Sequence, residues 1–443
     1  MDGFSNRPDT PSFAEATKTF ARIGVLSFGG PAGQIALMHR ILVDEKRWLD
    51  EPRFLHALNY CMLLPGPEAM QLATYAGWLL HGVRGGLVAG LLFVLPGALL
   101  LTMLSSIYML VGDVPLVQGL LFGLKAAVLA IVLEALIKVS KRALKSKGAL
   151  AIAVGAFAAI AFFKLPFPLI ILVAAFIGAV AHLSASNGPE GGETEVLVAL
   201  EMPDWTRPNA RRLFSTLAVW MVIWLGPLAA LYMAFGKENV YAVEAGFFSK
   251  MAAVTFGGAY AVLAYVAQQA VEIHGWLMPD EMLTGLGLAE TTPGPLILVL
   301  VFVGFLGGAR LSGLEPLIGG LAGAVVTLWF TFVPCFLWIF AGAPYVETVR
   351  NIRWLASALA AVTSAVVGII ANLAVWFALH VLFRDVGERV VGPVAFPVPD
   401  FSTLDIAAAA IAVAAGVALI RYRANMIVVL SVAALAGLIW MLA

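Results

Sequence analysis

The sequence predicts an all-α, polytopic membrane protein made of two homologous inverted repeats with broken helices. Three observations carry that expectation. Of 443 residues, 61% are hydrophobic and only 12% are charged, with a mean hydropathy of +0.94. Soluble domains hold roughly 45–50% apolar and about 25% charged residues, so this chain needs lipid as part of its solvent. Second, the stretch LSFGGP at Leu26–Pro31 returns, less its proline, as VTFGGA at Val254–Ala259. Third, PGP stands at 65–67 and again at 293–295.

Ser27–Pro67 aligns without a gap to Thr255–Pro295, a shift of 228 positions (255 − 27). Trp48-Leu49 falls on Trp276-Leu277 at the same shift. Chance in an apolar background gives scattered Leu and Ala matches. Three specific motifs at one shift indicate an internal duplication, a common construction of membrane transporters, with the site at the repeat interface.

Apolar runs set the order of elements. Short helices are expected at about 12–27, 31–43, 53–64 and 67–82, then longer spans at about 86–112, 116–140, 149–164 and 166–184. Residues 184–212, rich in Gly, Pro and acid, read as a polar linker, followed by a connecting span at 213–235. The second copy restarts with short helices at about 243–256, 258–273, 279–290 and 295–308. Its longer spans fall at about 314–341, 348–380, 403–420 and 424–442. The expected domains are therefore 1–183, the linker 184–212, the connecting helix 213–235, and 236–443.

One span between two copies of even crossing number inverts the second copy. The basic cluster Lys138, Lys141, Arg142, Lys145 and Lys147 marks a cytoplasmic end by the positive-inside rule. Counting from it places the N-terminus in the cytoplasm and the C-terminus in the periplasm, with Arg384 and Arg389 as exceptions. The short pieces reach only about 20–24 Å, against roughly 30 Å of hydrocarbon. They either stack in pairs as kinked spans or fold back as re-entrant hairpins. The loop 44–53 carries Lys46, Arg47 and Arg53, whereas 272–281 carries Glu272, Asp280 and Glu281, which favours hairpins.

Lys+Arg and Asp+Glu are both 27, so bulk charge suggests no nucleic-acid partner. Cys61 and Cys335 lie in apolar runs and suggest neither a disulfide nor a zinc site. No cleavable signal peptide is expected, and internal signals would direct the chain to a plasma-type membrane.

Non-helical backbone at membrane depth is tolerated only inside protein or beside water. Gly29-Gly30 opens conformations closed to other residues, and Pro31 suits the first position of a new helix. Pro65, Gly66 and Pro67 form a second break of the same kind. A helix start presents unpaired N–H groups and a partial positive charge, so four converging starts would form an anion site. Hinging or close helix packing is the alternative reading.

The segments SFGGPAGQIALMHR, WLDEPRFLHALNYCMLLPGPEAMQLATYAGWLLHG, VTFGGAYAVLAYVAQQ and GLAETTPGPLILVLVFVGF resemble the chromate ion transporter family in its long, two-domain form. The resemblance covers both halves. It implies a bacterial inner-membrane protein that exports chromate, driven by the proton-motive force, and confers chromate resistance. Sulfate, a near-isosteric dianion, is the second substrate expected. No cofactor is implied.

The expected anion-binding residues are Ser27, Phe28, Gly29, Gly30, Pro65, Gly66 and Pro67 in the first repeat. Thr255, Phe256, Gly257, Gly258, Thr291, Thr292, Pro293, Gly294 and Pro295 are expected in the second. The matched hydroxyls of Ser27 and Thr255 could donate to an oxyanion or cap a helix end. Gln34 could donate too, although packing is its plainer role. Arg22 and Lys250 occupy one equivalent position (22 + 228) and could face a shared vestibule, or anchor at the interface. Glu68 and Glu290 are candidate proton-coupling acids, placed asymmetrically about the two PGP motifs; a helix-start acid is the plainer reading of Glu68.

Two further functions stay open. A passive anion channel would use the same helix dipoles. An enzyme is not expected, since no Ser/His/Asp arrangement, HExxH or P-loop is present. The expected partners are a chromate or sulfate dianion, protons as coupling ion, the lipid bilayer and, as an option, a second copy of the chain in a homodimer.

Overall fold

The breaks decide the architecture. The computed structural model describes residues 11–185, 204–256, 259–345, 353–392 and 394–443. In the first repeat, α1 (Phe13–Leu26) starts at Ser12, whose Oγ accepts the Glu15 N–H at 3.2 Å. It buries Ala16, Thr19, Phe20 and Ile23 and stops at Ser27. Gly29 (φ 89°) and Gly30 (φ 72°) reverse the chain, and α2 (Gly30–His39) begins with Pro31 in its first turn. A π-helical turn, Arg40–Glu45, extends α2. Asp50 caps α3 (Glu51–Cys61) by accepting the Arg53 N–H at 2.8 Å. Pro67 then precedes α4 (Glu68–Val111), which folds on itself at His81 and Gly82 (φ 61°) into a short and a long leg.

These pieces are re-entrant hairpins rather than stacked spans. Lys46, just past the π turn, pairs with Glu15 at the start of α1 at 2.8 Å, so α2 returns to where α1 began. The Phe13 ring meets His81 edge-on at 5.5 Å, so the short leg of α4 returns to that end as well. The legs of α4 touch through glycine: a Cβ on Gly77 would collide with the Gly85 carbonyl.

The long helices follow as α5 (Pro115–Ala143), α6 (Lys147–Ala161), α7 (Phe167–Ala185) and the connecting α8 (Ala210–Phe235). The second repeat then runs α9 (Val240–Val254), α10 (Ala259–Ala267), α11 (Pro279–Glu290), α12 (Val299–Leu311) and α13 (Pro316–Gly342). The helix α14 (Arg353–Leu382), strands β1 (Val386–Val391) and β2 (Val394–Pro399), α15 (Ile406–Gly416) and α16 (Met426–Leu442) complete it.

The duplication holds hydrogen bond by hydrogen bond. Lys46 N–H donates to the Ile41 carbonyl at 2.9 Å, and its counterpart His274 donates to Gln269 at 2.8 Å. Trp48 donates to Leu42 at 2.9 Å and Trp276 to Ala270 at 2.8 Å. A second π turn, Gln268–Ile273, stands 228 positions after the first (268 − 40).

The copies are inverted. The long leg of α4 starts beside the start of α1 and the Lys46 turn of the first repeat, and ends at Tyr108, whose hydroxyl donates to Glu281 at 2.9 Å in the first turn of α11, next to the matching turn of the second repeat. From residue 83 to 108 a helix rises about 38 Å, enough to cross the hydrocarbon. In the opposite sense, α13 starts with Gly319 against Gly308 of α12 and ends with Gly342 against the hydroxyl of Tyr60 in α3.

Two features depart from expectation. Residues between the last long spans form a two-stranded antiparallel hairpin, β1–β2, with Val391 opposite Val394. It is mostly exposed and tied down by the Lys164–Glu388 ion pair and by Ala395 N–H donating to Phe162 at 3.1 Å. The expected linker 184–212 is also shorter at both ends, because α7 runs to Ala185 and α8 starts at Ala210 behind its Asn209 cap. Trp205 already belongs to the fold, donating Nε1–H to the Trp78 carbonyl at 3.1 Å. Residues 186–203 of that linker lie outside the described residues.

Candidate functional site: a reciprocal crossing of the two repeats

Each break of one repeat is bonded to the other break of its partner repeat. Gly66 N–H, inside the first PGP, donates to the Thr255 carbonyl at 2.9 Å. Its counterpart Gly294 N–H, inside the second PGP, donates to the Ser27 carbonyl at 2.8 Å. Both glycines need positive φ, 124° and 93°, to aim their N–H groups across the interface. Ser27, Thr255 and both PGP motifs are buried. The long leg of α4 clamps the second crossing, since a Cβ on Gly97 would strike the Pro293 carbonyl.

Two buried glutamines brace the crossing. Gln34, 1% exposed, donates Nε2–H to the carbonyls of Gly294 (2.6 Å) and Ser27 (3.2 Å). Gln71, fully buried, donates to Pro65 at 2.8 Å. Among the described residues, the Oε1 of each has no partner. Their counterparts in the second repeat are Val262 and Val299, so both amides come from the first repeat.

Beside these bonds, the starts of α2 and α4 lack side-chain caps, and the start of α2 stays open. First-turn N–H groups lack intrahelical acceptors. A Cβ built on Gly29 or Gly30 meets no described atom within 4 Å. Gly29 is exposed, so the positive end of α2 faces open space beside the crossing.

The hydroxyls behave differently from the donor role. Ser27 Oγ–H and Thr255 Oγ1–H each donate 2.6 Å to the carbonyl one turn back, Ile23 and Met251. Thr291 and Thr292 likewise donate to Leu288 (2.8 Å) and Ala289 (2.9 Å). Their hydrogens are engaged at helix ends, which leaves backbone N–H groups as the donors facing open space.

Phe28 and Phe256 are half-buried beside the crossing, while Gly257 and Gly258 lie outside the described residues. Arg22 is exposed and reaches Glu45 at 3.4 Å, and Lys250 is exposed on α9, so neither is buried at the crossing. Glu68 is half-buried at the start of α4, beside Pro67. Glu290 is buried and accepts the Tyr260 hydroxyl at 2.6 Å. Sequence reasoning passed over Gln71 and Tyr260. The signal for Gln71 was present: an amide within an apolar run is a functional hypothesis by default.

A second concavity, about 470 Å³, lies toward the second repeat's outer turn. Lys125 there pairs with Asp280 at 3.4 Å and Arg384 with Asp405 at 3.8 Å, so its charges are already matched.

Broken re-entrant helices, an inverted duplication and buried polar groups at the crossing define a multi-pass membrane protein of the inverted-repeat transporter class. The chromate transporter family profile matches residues 14–179 and 245–438, one copy in each half, and the chain belongs to that family. It is 32% identical to the chromate transport protein of Pseudomonas aeruginosa over 82% of this chain and 80% of that protein. It is 28% identical to the chromate transport protein of Cupriavidus metallidurans over 79% of each. An uncharacterized transporter of Methanocaldococcus jannaschii is 24% identical over 84% of this chain and 86% of its own length. No solved structure matches significantly.

Proposed function

We propose that this protein is a secondary transporter that exports chromate across the bacterial inner membrane, coupled to protons, and so confers chromate resistance. The observation that carries the reading is the reciprocal crossing. Gly66 and Gly294 lock the two repeats together while the uncapped start of α2 opens onto free space. A tetrahedral dianion fits such a place because it needs several convergent N–H donors and only partial positive charge. A fully charged cation there would bind too tightly for release. Asymmetry between the repeats, with Gln34 and Gln71 both supplied by the first, suits a carrier that must treat its two faces differently.

Orientation follows from charge. The first repeat's turn (Lys46, Arg47, Arg53) and the end of α5 (Lys138, Lys141, Arg142) are basic, which supports a cytoplasmic N-terminus. Leu438 and Met441 of α16 pack on Gly119 near the start of α5, which supports a C-terminus on the other side. Glu68 and Glu290 are the acids nearest the breaks and are the coupling candidates of this reading. In the same reading, residues 1–183 and 236–443 are the two transporter repeats.

Purified protein in liposomes tests the proposal. Chromate flux should saturate, be competed by sulfate, and accelerate under an imposed pH gradient. Flux that ignores the pH gradient and follows voltage alone would make the protein a channel instead.

A further inference from the structure

Glu244, in the first half of α9, is 0% exposed. Neither of its carboxyl oxygens has a hydrogen-bond partner among the described residues. Its slot is made of missing side chains. Oε1 lies 2.6 Å from the place a Cβ would take on Gly307 of α12, and Oε2 lies 3.3 Å from that place on Gly323 of α13. The Trp276 ring closes the slot, within 3.1 Å of the same Gly307 position. Two neighbouring helices thus carry glycine where the carboxyl needs room.

The groups around the slot do not balance a charge. Arg310 of α12, one turn beyond Gly307, is held by Glu281 of α11 through two bonds of 2.6 and 2.7 Å and donates to the Trp276 carbonyl at 3.2 Å. His274 stacks on Trp276 at 4.7 Å. Tyr232 of α8 packs its hydroxyl against Gly246, and Tyr241 of α9 donates to the Gly319 carbonyl at 3.1 Å. On α13 the facing stretch is Gly319, Gly320, Gly323 and Thr327, and the Thr327 hydroxyl donates to Gly323 at 2.9 Å. This packing accommodates a neutral carboxylic acid and leaves a carboxylate without a counter-charge. A metal cation suits it less, since hard cations take about six oxygen ligands and the slot brings a single carboxyl.

We propose that Glu244, rather than Glu68 or Glu290 at the breaks, is the proton-binding residue of the transport cycle, neutral in the packing seen here and deprotonated when α9, α12 and α13 part. On opening, the proton passes to water entering the slot, and the carboxylate left behind is stabilised by that water. The slot is tied to the crossing through two of its walls. The helix α9 runs from Glu244 to the break at Thr255, about 16 Å away at about 1.5 Å per residue, and α12 follows the second PGP. Opening the slot therefore displaces both breaks of the second repeat. Protonation favours the closed packing, and the anion shifts the same equilibrium from the other end. The first repeat has Ala16 at the matched position (244 − 228), so the proton site is present in one repeat only.

This inference rests on the proposed proton-coupled transport, and the experiment separates the two. Wild type, Glu244→Gln and Glu244→Asp are compared in liposomes for chromate exchange at equal pH and for flux under an imposed pH gradient. The Gln variant copies the neutral acid in size and charge. It should lose the acceleration by the gradient, with exchange at equal pH showing that the variant still carries chromate. In weakly buffered detergent, chromate addition should change proton uptake by wild type but not by the Gln variant. Should the Gln variant insert poorly, Glu244→Asp retains an acid and should displace the pH profile of flux. A Gln variant that still responds to the gradient as wild type does, or an Asp variant with an unmoved profile, overturns the inference. Wild type that moves no chromate, or moves it without regard to the gradient, refutes the proton-coupled transport reading itself, whereas a coupled wild type with an equally coupled Gln variant refutes the role of Glu244 alone.

Discussion

Gly66→Ala tests how tightly the crossing is built. Gly66 sits at φ 124°, where L side chains are strained, and its N–H must still reach the Thr255 carbonyl. A Cβ there would stand 2.9 Å from Cys335 Sγ and 2.9 Å from Gln71 Nε2. The backbone strain costs roughly 1–3 kcal/mol, and displacing Gln71 from the Pro65 carbonyl about 1 kcal/mol more. The sum, about 2–4 kcal/mol, falls on the contact that joins the repeats. Gly29→Ala is the control. It carries comparable strain at φ 89° but meets nothing within 4 Å, so its cost stays at about 1–3 kcal/mol. Thermal unfolding of both variants in detergent, with chromate flux of the same preparations, reads the difference. Cys335→Ala should recover part of the Gly66→Ala loss by removing one of the two clashing atoms. Gly66→Ala as stable and active as wild type would refute the reasoning, as would equal losses in the two variants.

Gly30→Val should reduce chromate flux by more than about tenfold while the protein still inserts, because a branched residue at φ 72° re-aims the start of α2; flux assays with quantified membrane levels decide it. Arg310→Ala should lower the midpoint of thermal unfolding, since Glu281 would lose a two-bond charged partner; with Arg310 a third exposed, the loss is about 1–3 kcal/mol. Arg310→Ala with Glu281→Gln should be milder than Arg310→Ala alone, by the same unfolding measurement. Tyr260→Phe should alter chromate export only if Glu290 takes part, because its 2.6 Å hydrogen bond is the contact removed; comparison with Glu290→Gln in the liposome assay shows whether the two act together.

Much of the fold was legible because its signals are local. Gly29-Gly30 followed by Pro31 breaks a helix whatever surrounds it, and the shift of 228 residues located the second copy without any structure. The acidic character of 272–281 against the basic 44–53 pointed to hairpins, and the Lys46–Glu15 pair shows the return. Other features depend on contacts the sequence does not write. The strand pair β1–β2 lacks a buried face of its own and leans on Phe162 and Lys164, 220 or more positions away. In the candidate site, the motif residues were readable but their partners were not. Ser27 reads equally as an oxyanion donor or a helix-end cap until Ile23 is seen one turn back, and nothing in PGP says that its glycine bonds to the opposite repeat. Glu244 is an acid in an apolar run, a visible signal, yet its meaning comes from glycines 63 and 79 positions further on (307 − 244 and 323 − 244).

Anomalous diffraction from crystals grown with chromate or selenate locates the dianion directly. The expected result is one peak at the crossing, beside the first turns of α2 and α4 near Gly30 and Gly66. A peak in the cavity between Lys125 and Arg384, with none at the crossing, would contradict the assignment of the breaks as the anion site.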